Sequence, residues 1–182
     1  MEIIGIKERI VREAKGIGAV FNGEKVLESV KEIVENPEVF EMEDGKKEFY
    51  LRKFKEMLEE GRVRKVNFAG LFLGPYWASY RNRPWGALTV LFITGWLGFF
   101  LALLLEGMHG VIIQVPLLAF LFLLLALVLQ LAPFVYFGLY GYAYLATTKD
   151  IPATKSIKGI FIYVIIGVLF SLLLNELGKV IF

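Results

Sequence analysis

The chain has 182 residues, 57% of them hydrophobic, with a mean hydropathy of +0.60, a formal net charge of +2 and no cysteine. That apolar share excludes an ordinary soluble domain, and the missing thiols exclude disulfides, thiolate metal sites and cysteine nucleophiles. Charge is concentrated in residues 1–65, which hold 14 Lys and Arg against 15 Asp and Glu and leave 6 and 3 for the rest; so balanced a head lacks the basic excess that a nucleic-acid partner needs.

Residues 1–66 read as a charged, helical head. Ile3, Ile6, Ile10, Ala14 and Ile17 recur at helical steps between Lys7, Glu8, Arg12 and Glu13, predicting an amphipathic helix that stops near Gly16 and Gly18. A second helix starts at Asn22 or Gly23, carries Val26, Leu27, Val30, Ile33 and Val34 on one face, and ends where Pro37 disfavours a helical Asn36. After the turn signal Asp44-Gly45, Tyr50, Leu51, Phe54, Met57 and Leu58 form the stripe of a third helix closing at Gly61. A head of about 60 residues buries only a marginal core alone, so it is expected to lean on the membrane surface or on a partner. No secretory signal opens the chain, because residues 1–15 are charged throughout, and the first span is expected to direct insertion. The run Gly18 to Lys25 imitates a phosphate-binding loop, but Glu24 separates Gly23 from Lys25 and no hydroxyl follows, so these glycines read as helix ends. Lys and Glu as the dominant charges, with little Asn or Gln, are compatible with a thermophilic source.

Residues 67–83 form a hinge between the head and everything after it. The stretch Phe68 to Ala78 is apolar, yet as a helix it reaches only about 20 Å, short of a hydrocarbon core of about 30 Å. Arg62, Arg64 and Lys65 precede it and Arg81 and Arg83 follow, so both ends favour the same face, and the segment is expected to re-enter the membrane or lie in its interface.

Residues 84–182 form the transmembrane part. Asn82 suits a helix N-cap and Pro84 a first turn, after which Trp85 marks an interface and residues 86–105 make a first span. A polar loop at 106–110 follows, and apolar sequence then runs over 111–146, about twice the length one span requires. Two spans joined at Pro133 compete with one long helix whose end hugs the interface. The absence of a polar turn, and headgroup-level tyrosines at Tyr136, Tyr140, Tyr142 and Tyr144, favour the single helix. A third span covers 159–174. Basic residues before the first span, together with Lys149, Lys155 and Lys158, place the head in the cytoplasm by the positive-inside rule, and three crossings put the C-terminus outside. The expected fold is therefore an all-α membrane protein with a cytoplasmic helical head, one re-entrant or interfacial segment and three transmembrane helices.

Two stretches carry a resemblance. Residues 50–61 and then Asn67-Phe-Ala-Gly-Leu-Phe-Leu-Gly-Pro-Tyr-Trp-Ala-Ser-Tyr-Arg81 resemble a family of small prokaryotic membrane proteins of unknown function. Its mark is a Gly-Pro-x-Trp-x-x-Tyr-Arg signature before the first transmembrane span. The similarity covers residues 48–146, with Gly74, Pro75, Trp77, Tyr80 and Arg81 its most specific positions. Phe68 stands where the family shows Trp, and Asn82-Arg83-Pro84 replaces a more basic continuation. The resemblance implies a membrane protein and supplies no activity.

Chemistry-bearing constellations are few. No ionisable residue falls in the three predicted spans, where Gln114 and Gln130 are the strongest polar groups, with Thr89, Thr94 and Ser171 as lesser ones. His109 is the only histidine, with Glu106 three residues away, so no catalytic triad, metal centre or other cofactor is implied. The candidate contact residues for lipid or a partner are Gly70, Gly74, Pro75, Trp77, Tyr80 and Arg81. Gly70 and Gly74 have small-xxx-small spacing, and Pro75 breaks the helix. On one reading Trp77, Tyr80 and Arg81 wedge the segment against lipid headgroups, Arg81 snorkelling to phosphate. On the other, the break at Gly74-Pro75 lines a cavity. The expected function is that of an anchor, scaffold or assembly subunit acting through a homo-oligomer or a membrane-complex partner. The alternative is an oligomeric channel or transporter for lipid or a small solute.

Overall fold

A computed structural model describes residues 5–42, 45–108 and 116–181. These residues form eight α-helices, one 3-10 turn at Pro37–Val39 and no strand. The head contributes α1 (Ile6–Ala19), α2 (Gly23–Glu35) and α3 (Lys47–Glu60), and the hinge contributes α4 (Phe68–Leu73) and α5 (Pro75–Tyr80). Three long apolar helices follow: α6 (Pro84–Gly107), α7 (Pro116–Thr147) and α8 (Ile157–Ile181), each long and apolar enough to cross a membrane. The protein is an all-α, multi-pass membrane protein.

Local chemistry explains the boundaries in the head. Asn22 caps α2, its side-chain oxygen accepting from the Lys25 amide at 3.2 Å, and Gly61 closes α3 in the left-handed conformation at φ 59°. Helix α1 departs from expectation. It ends at Ala19, next to the expected stop at Gly18, but its buried face is Glu13, Gly16 and Ile17, with Val20 just beyond its end, while Ile6 is 70% exposed and Ile10 also faces out. The reason is a close approach. A Cβ on Gly16 would lie 2.5 Å from the Thr148 side chain, so glycine lets α1 press on the end of α7.

The spans run up, down and up, with α6 between α7 and α8. Helix α7 is a single helix of 32 residues with Pro133 inside it, about 48 Å long, well beyond a hydrocarbon core of about 30 Å. Burial shows how the surplus is used. Residues 117–135 are largely exposed, and from Phe137 onward α7 is largely buried. The tyrosines read as headgroup residues are therefore packing groups of the head junction. Tyr142 stacks edge-on to Tyr50 at 5.7 Å, Tyr140 meets Phe21 at 5.4 Å, and Tyr136 donates to the Ile17 carbonyl at 3.0 Å. Tyr144 is fully buried. One apolar core thus joins Val26, Val30 and Ile33 of α2 and Phe54 and Met57 of α3 to Trp77, Phe137, Leu145 and Tyr163. The head leans on this chain's own longest helix.

Span limits exceed the expected ones. Helix α6 covers 84–107, and α8 runs to Ile181, past Asn175 and past a Glu176–Lys179 ion pair of 2.6 Å spaced one helical turn apart. The expected start of the second span at 111, together with His109 and Gln114, lies outside the described residues.

Candidate functional site

The hinge is two short helices meeting at Gly74, whose φ of 51° and ψ of −126° suit glycine alone; Pro75 then supplies the preset φ of a first helical residue. Helix α4 lies against α7 at backbone distance. A Cβ on Gly70 would sit 2.2 Å from the Phe137 carbonyl oxygen, and one on Gly74 would sit 2.7 Å from the Phe134 ring. The Asn67 amide donates to the Gly138 carbonyl at 2.7 Å. The spacing of Gly70 and Gly74 thus serves contact within the chain.

Of the residues expected to touch headgroups, two are inside. Trp77 is 2% exposed and packs on Phe137 and on the flat surface left by Gly141. Arg81 is 4% exposed, its guanidinium 5.3 Å from the Tyr50 ring centre and 5.6 Å from that of Tyr80. A buried guanidinium between two aromatic faces is a packing element, so the snorkelling reading of Arg81 is corrected. The hinge's outward face is carried by residues that were not singled out. Phe68 is 68% and Phe72 75% exposed, with Leu73 and Tyr76 beside them. Helical phase carries the signal: these side chains lie opposite the glycines.

Beneath the hinge, α6 and α7 part to form a lateral cavity of about 540 Å³. Pro75 and Tyr76 close its head end; Thr94, Gly95, Gly98 and Ala102 line one wall, and Ala126, Leu129, Gln130 and Pro133 the other. Two features make this wall more than apolar. Pro133 has no amide hydrogen, so the Leu129 carbonyl lacks its helical donor. Gln130 is exposed about 10 Å below the point where α7 becomes buried. Thr94 is satisfied within α6 by the Val90 carbonyl at 2.9 Å. Of the six candidates, only Pro75 lines this cavity, with Gly74 at its edge against the lining residue Phe134.

A second polar constellation, missed in the sequence, lies where head, hinge and spans meet. The N-cap of α6 is Arg83, and Asn82 takes a left-handed φ of 61°, correcting the expected cap. Asn82 instead holds Arg9, whose Nη2 donates to both its main-chain and side-chain oxygens. Glu13, fully buried, accepts from Arg9 Nε at 3.0 Å and from the Gly86 amide at 2.8 Å. A carboxylate from α1 thereby caps the positive end of α6. Burial raises the Glu13 carboxyl above its ordinary value, against the opposing pull of the Gly86 amide, Arg9 and Arg83. Arg83 is also fully buried and donates four hydrogen bonds: Nε to Thr148 Oγ1 at 2.7 Å, Nη1 to the Arg81 carbonyl at 2.8 Å, and Nη2 to the Thr148 and Ile151 carbonyls at 2.9 and 2.8 Å. Burial pushes this guanidinium down to about 10, still cationic at neutral pH. It serves the negative end of α7 as Glu13 serves the positive end of α6.

Among the described residues, no group of three His, Asp or Glu side chains gathers to hold a metal ion. The chain matches no protein-family model, no curated protein and no solved structure.

Proposed function

We propose that this protein is an assembly subunit of the cytoplasmic membrane, with its head in the cytoplasm, that receives a transmembrane helix of a partner protein in the groove between α6 and α7. The observation that carries this reading is the groove wall itself. Gln130 and the free Leu129 carbonyl stand in hydrocarbon facing a gap, and the opposite wall is Gly95, Gly98 and Ala102. Small residues let a backbone come close, and a polar group in lipid gains by finding an interhelical hydrogen bond. Orientation follows from the basic residues at the head end, Arg62, Arg64, Lys65, Lys149, Lys155 and Lys158. In this frame the exposed Phe68, Phe72 and Leu73 lay α4 in the membrane interface.

The chain has no cysteine, so single substitutions give clean crosslinking sites. Gln130→Cys in native membranes is expected to form one defined crosslinked product, and native mass spectrometry of the extracted protein a complex of fixed stoichiometry. Gly98→Leu, which fills the groove at a position where an added Cβ meets nothing within 4 Å, is expected to abolish both without unfolding the chain. A strictly monomeric protein without a stoichiometric partner would overturn the proposal.

The second reading, a channel or transporter, is favoured by one observation: Pro75 and Tyr76 of the hinge close the head end of the same groove. Solute flux in proteoliposomes that responds to Tyr76→Ala would support it, and flux indifferent to both Tyr76→Ala and Gln130→Leu would remove it.

A further inference from the structure

A smaller cavity, of about 180 Å³, lies on the other side of α6, between the start of α1 and the start of α8. Arg9, Lys158, Trp85, Ser156, Ile6 and Ile162 are among its lining residues, and no carboxylate is. We propose that it binds the phosphate of an anionic phospholipid headgroup. This does not rest on the partner-helix reading, since it concerns a different face of α6.

The two cations are differently prepared. Arg9 is fixed, with Nε on Glu13 and Nη2 on Asn82, so its guanidinium is held in place and Nη1 is left over for a ligand. The formal charge of Arg9 is offset by Glu13, but the carboxylate is fully buried toward Gly86. Lys158 is exposed and belongs to none of the ion pairs among the described residues. One fixed guanidinium nitrogen beside an ammonium on a flexible stem suits a phosphate, whose oxygens accept several donors at once. The first turn of α8 adds to the same field. Ser156 caps the Gly159 amide at 2.8 Å, and Ser156, Lys158 and Gly159 bring the positive end of the α8 dipole to the cavity lining.

Location selects a lipid over a free anion. Trp85 and Lys158 are residue types of the membrane interface. The same site carries Ile6 and Ile162, and immediately along α8 the exposed side chains are Phe161 and Ile165, an apolar track on which acyl chains rest. A soluble phosphate gains nothing from that track, whereas a phospholipid gains from both ends.

The test uses the full chain in mild detergent, titrated with phosphatidylglycerol, phosphatidylcholine or inorganic phosphate, with retained lipid read by native mass spectrometry and binding by thermal shift. Phosphatidylglycerol is expected to be retained in preference to phosphatidylcholine. Lys158→Gln is expected to weaken that retention about fivefold, the effect of one cation near a lipid surface. Lys155→Gln, exposed and outside the cavity, is expected to leave it unchanged. Both sites are exposed, so neither variant threatens folding. Equal retention of the two lipids, or retention indifferent to Lys158→Gln, would overturn the site. Inorganic phosphate binding as tightly as phosphatidylglycerol would overturn its assignment to lipid.

Discussion

Replacing Arg83 by Met tests whether a single guanidinium ties the start of α6 to the segment that follows α7. The side chain is fully buried and makes four hydrogen bonds, three of them to main-chain carbonyls at the start of α6 and just beyond the end of α7. Hydrogen bonds to a charged group contribute about 1.5–3 kcal/mol each, so the gross value is about 6–12 kcal/mol. Desolvating the guanidinium costs several kcal/mol, and removing one side of such a buried arrangement is expected to cost about 3–5 kcal/mol net. An apolar replacement does not rescue the site, because the Arg81 and Ile151 carbonyls belong to the backbone and lose the guanidinium as donor, while the Thr148 carbonyl keeps the Ile151 amide at 3.0 Å. For a chain of this size the loss corresponds to a fall in Tm of about 6–20 °C. Unfolding in mild detergent, followed by tryptophan emission with Trp77 as the buried reporter among the three tryptophans, measures it. Thr148→Val is the graded control: it removes one hydroxyl acceptor and leaves the guanidinium on its three carbonyls, for a fall of about 3–12 °C, smaller than that of Arg83→Met. An Arg83→Met protein that melts within about 2 °C of the unaltered chain would refute the reasoning.

Glu13 predicts a pH dependence of definite sign. Its carboxyl is raised above the ordinary 4.5 by burial, so it stabilises the folded state by holding a proton at low pH, and that contribution is lost as pH rises through the raised value. Tm is expected to fall as pH climbs above 4.5, and Glu13→Gln, which keeps an acceptor for the Gly86 amide, to flatten that part of the profile; an unchanged profile counts against the burial argument. Two glycines predict opposite outcomes. Gly70→Ala drives a methyl to 2.2 Å of the Phe137 carbonyl oxygen and is expected to cost about 1–3 kcal/mol, while Gly98→Ala, with nothing within 4 Å of the added carbon, is expected to gain about 0.5–1 kcal/mol in helix propensity. Melting curves of the two variants decide it, and equal shifts would refute the assigned contacts.

Three spans were legible because hydropathy is a local property, and the single long helix because no polar turn interrupts it. The limits of α2 were legible because Asn22 and Pro37 act on their immediate neighbours. What escaped depends on partners far along the chain. Of the stripe Ile6, Ile10, Ala14 and Ile17, Ile17 is buried, but the rest of the buried face of α1 is Glu13 and Gly16, which meet the Gly86 amide 73 residues away and the Thr148 side chain. A carboxylate and a glycine at i and i+3, Glu13 and Gly16, beside Ile17 and Val20 were the available signal. The tyrosines of α7 were assigned to headgroups because residue type alone does not distinguish lipid from a head folded back over the helix. In the hinge, Trp77, Tyr80 and Arg81 read as a membrane wedge, whereas Trp77 and Arg81 are buried and the outward faces belong to Phe68, Phe72 and Leu73.

Those open faces are tied to the buried charges. Glu13 serves the first turn of α6 and Arg83 the carbonyls just beyond the end of α7, and these two helices are the walls of the groove with Gln130. The head therefore fixes the spacing of the walls from one end, while Pro133 lets the exposed part of α7 bend below that point. A change that loosens the clamp without unfolding the chain is expected to alter the groove first. Arg83→Lys keeps the charge but loses the planar fork that reaches Thr148 and Ile151 together. In that background, at temperatures well below its melting point, crosslinking from Gln130→Cys is expected to fall and to spread over several products. If crosslinking keeps its single product while Tm drops, the clamp supports stability alone, and the groove owes its shape to contacts within the spans such as Phe92 on Phe170.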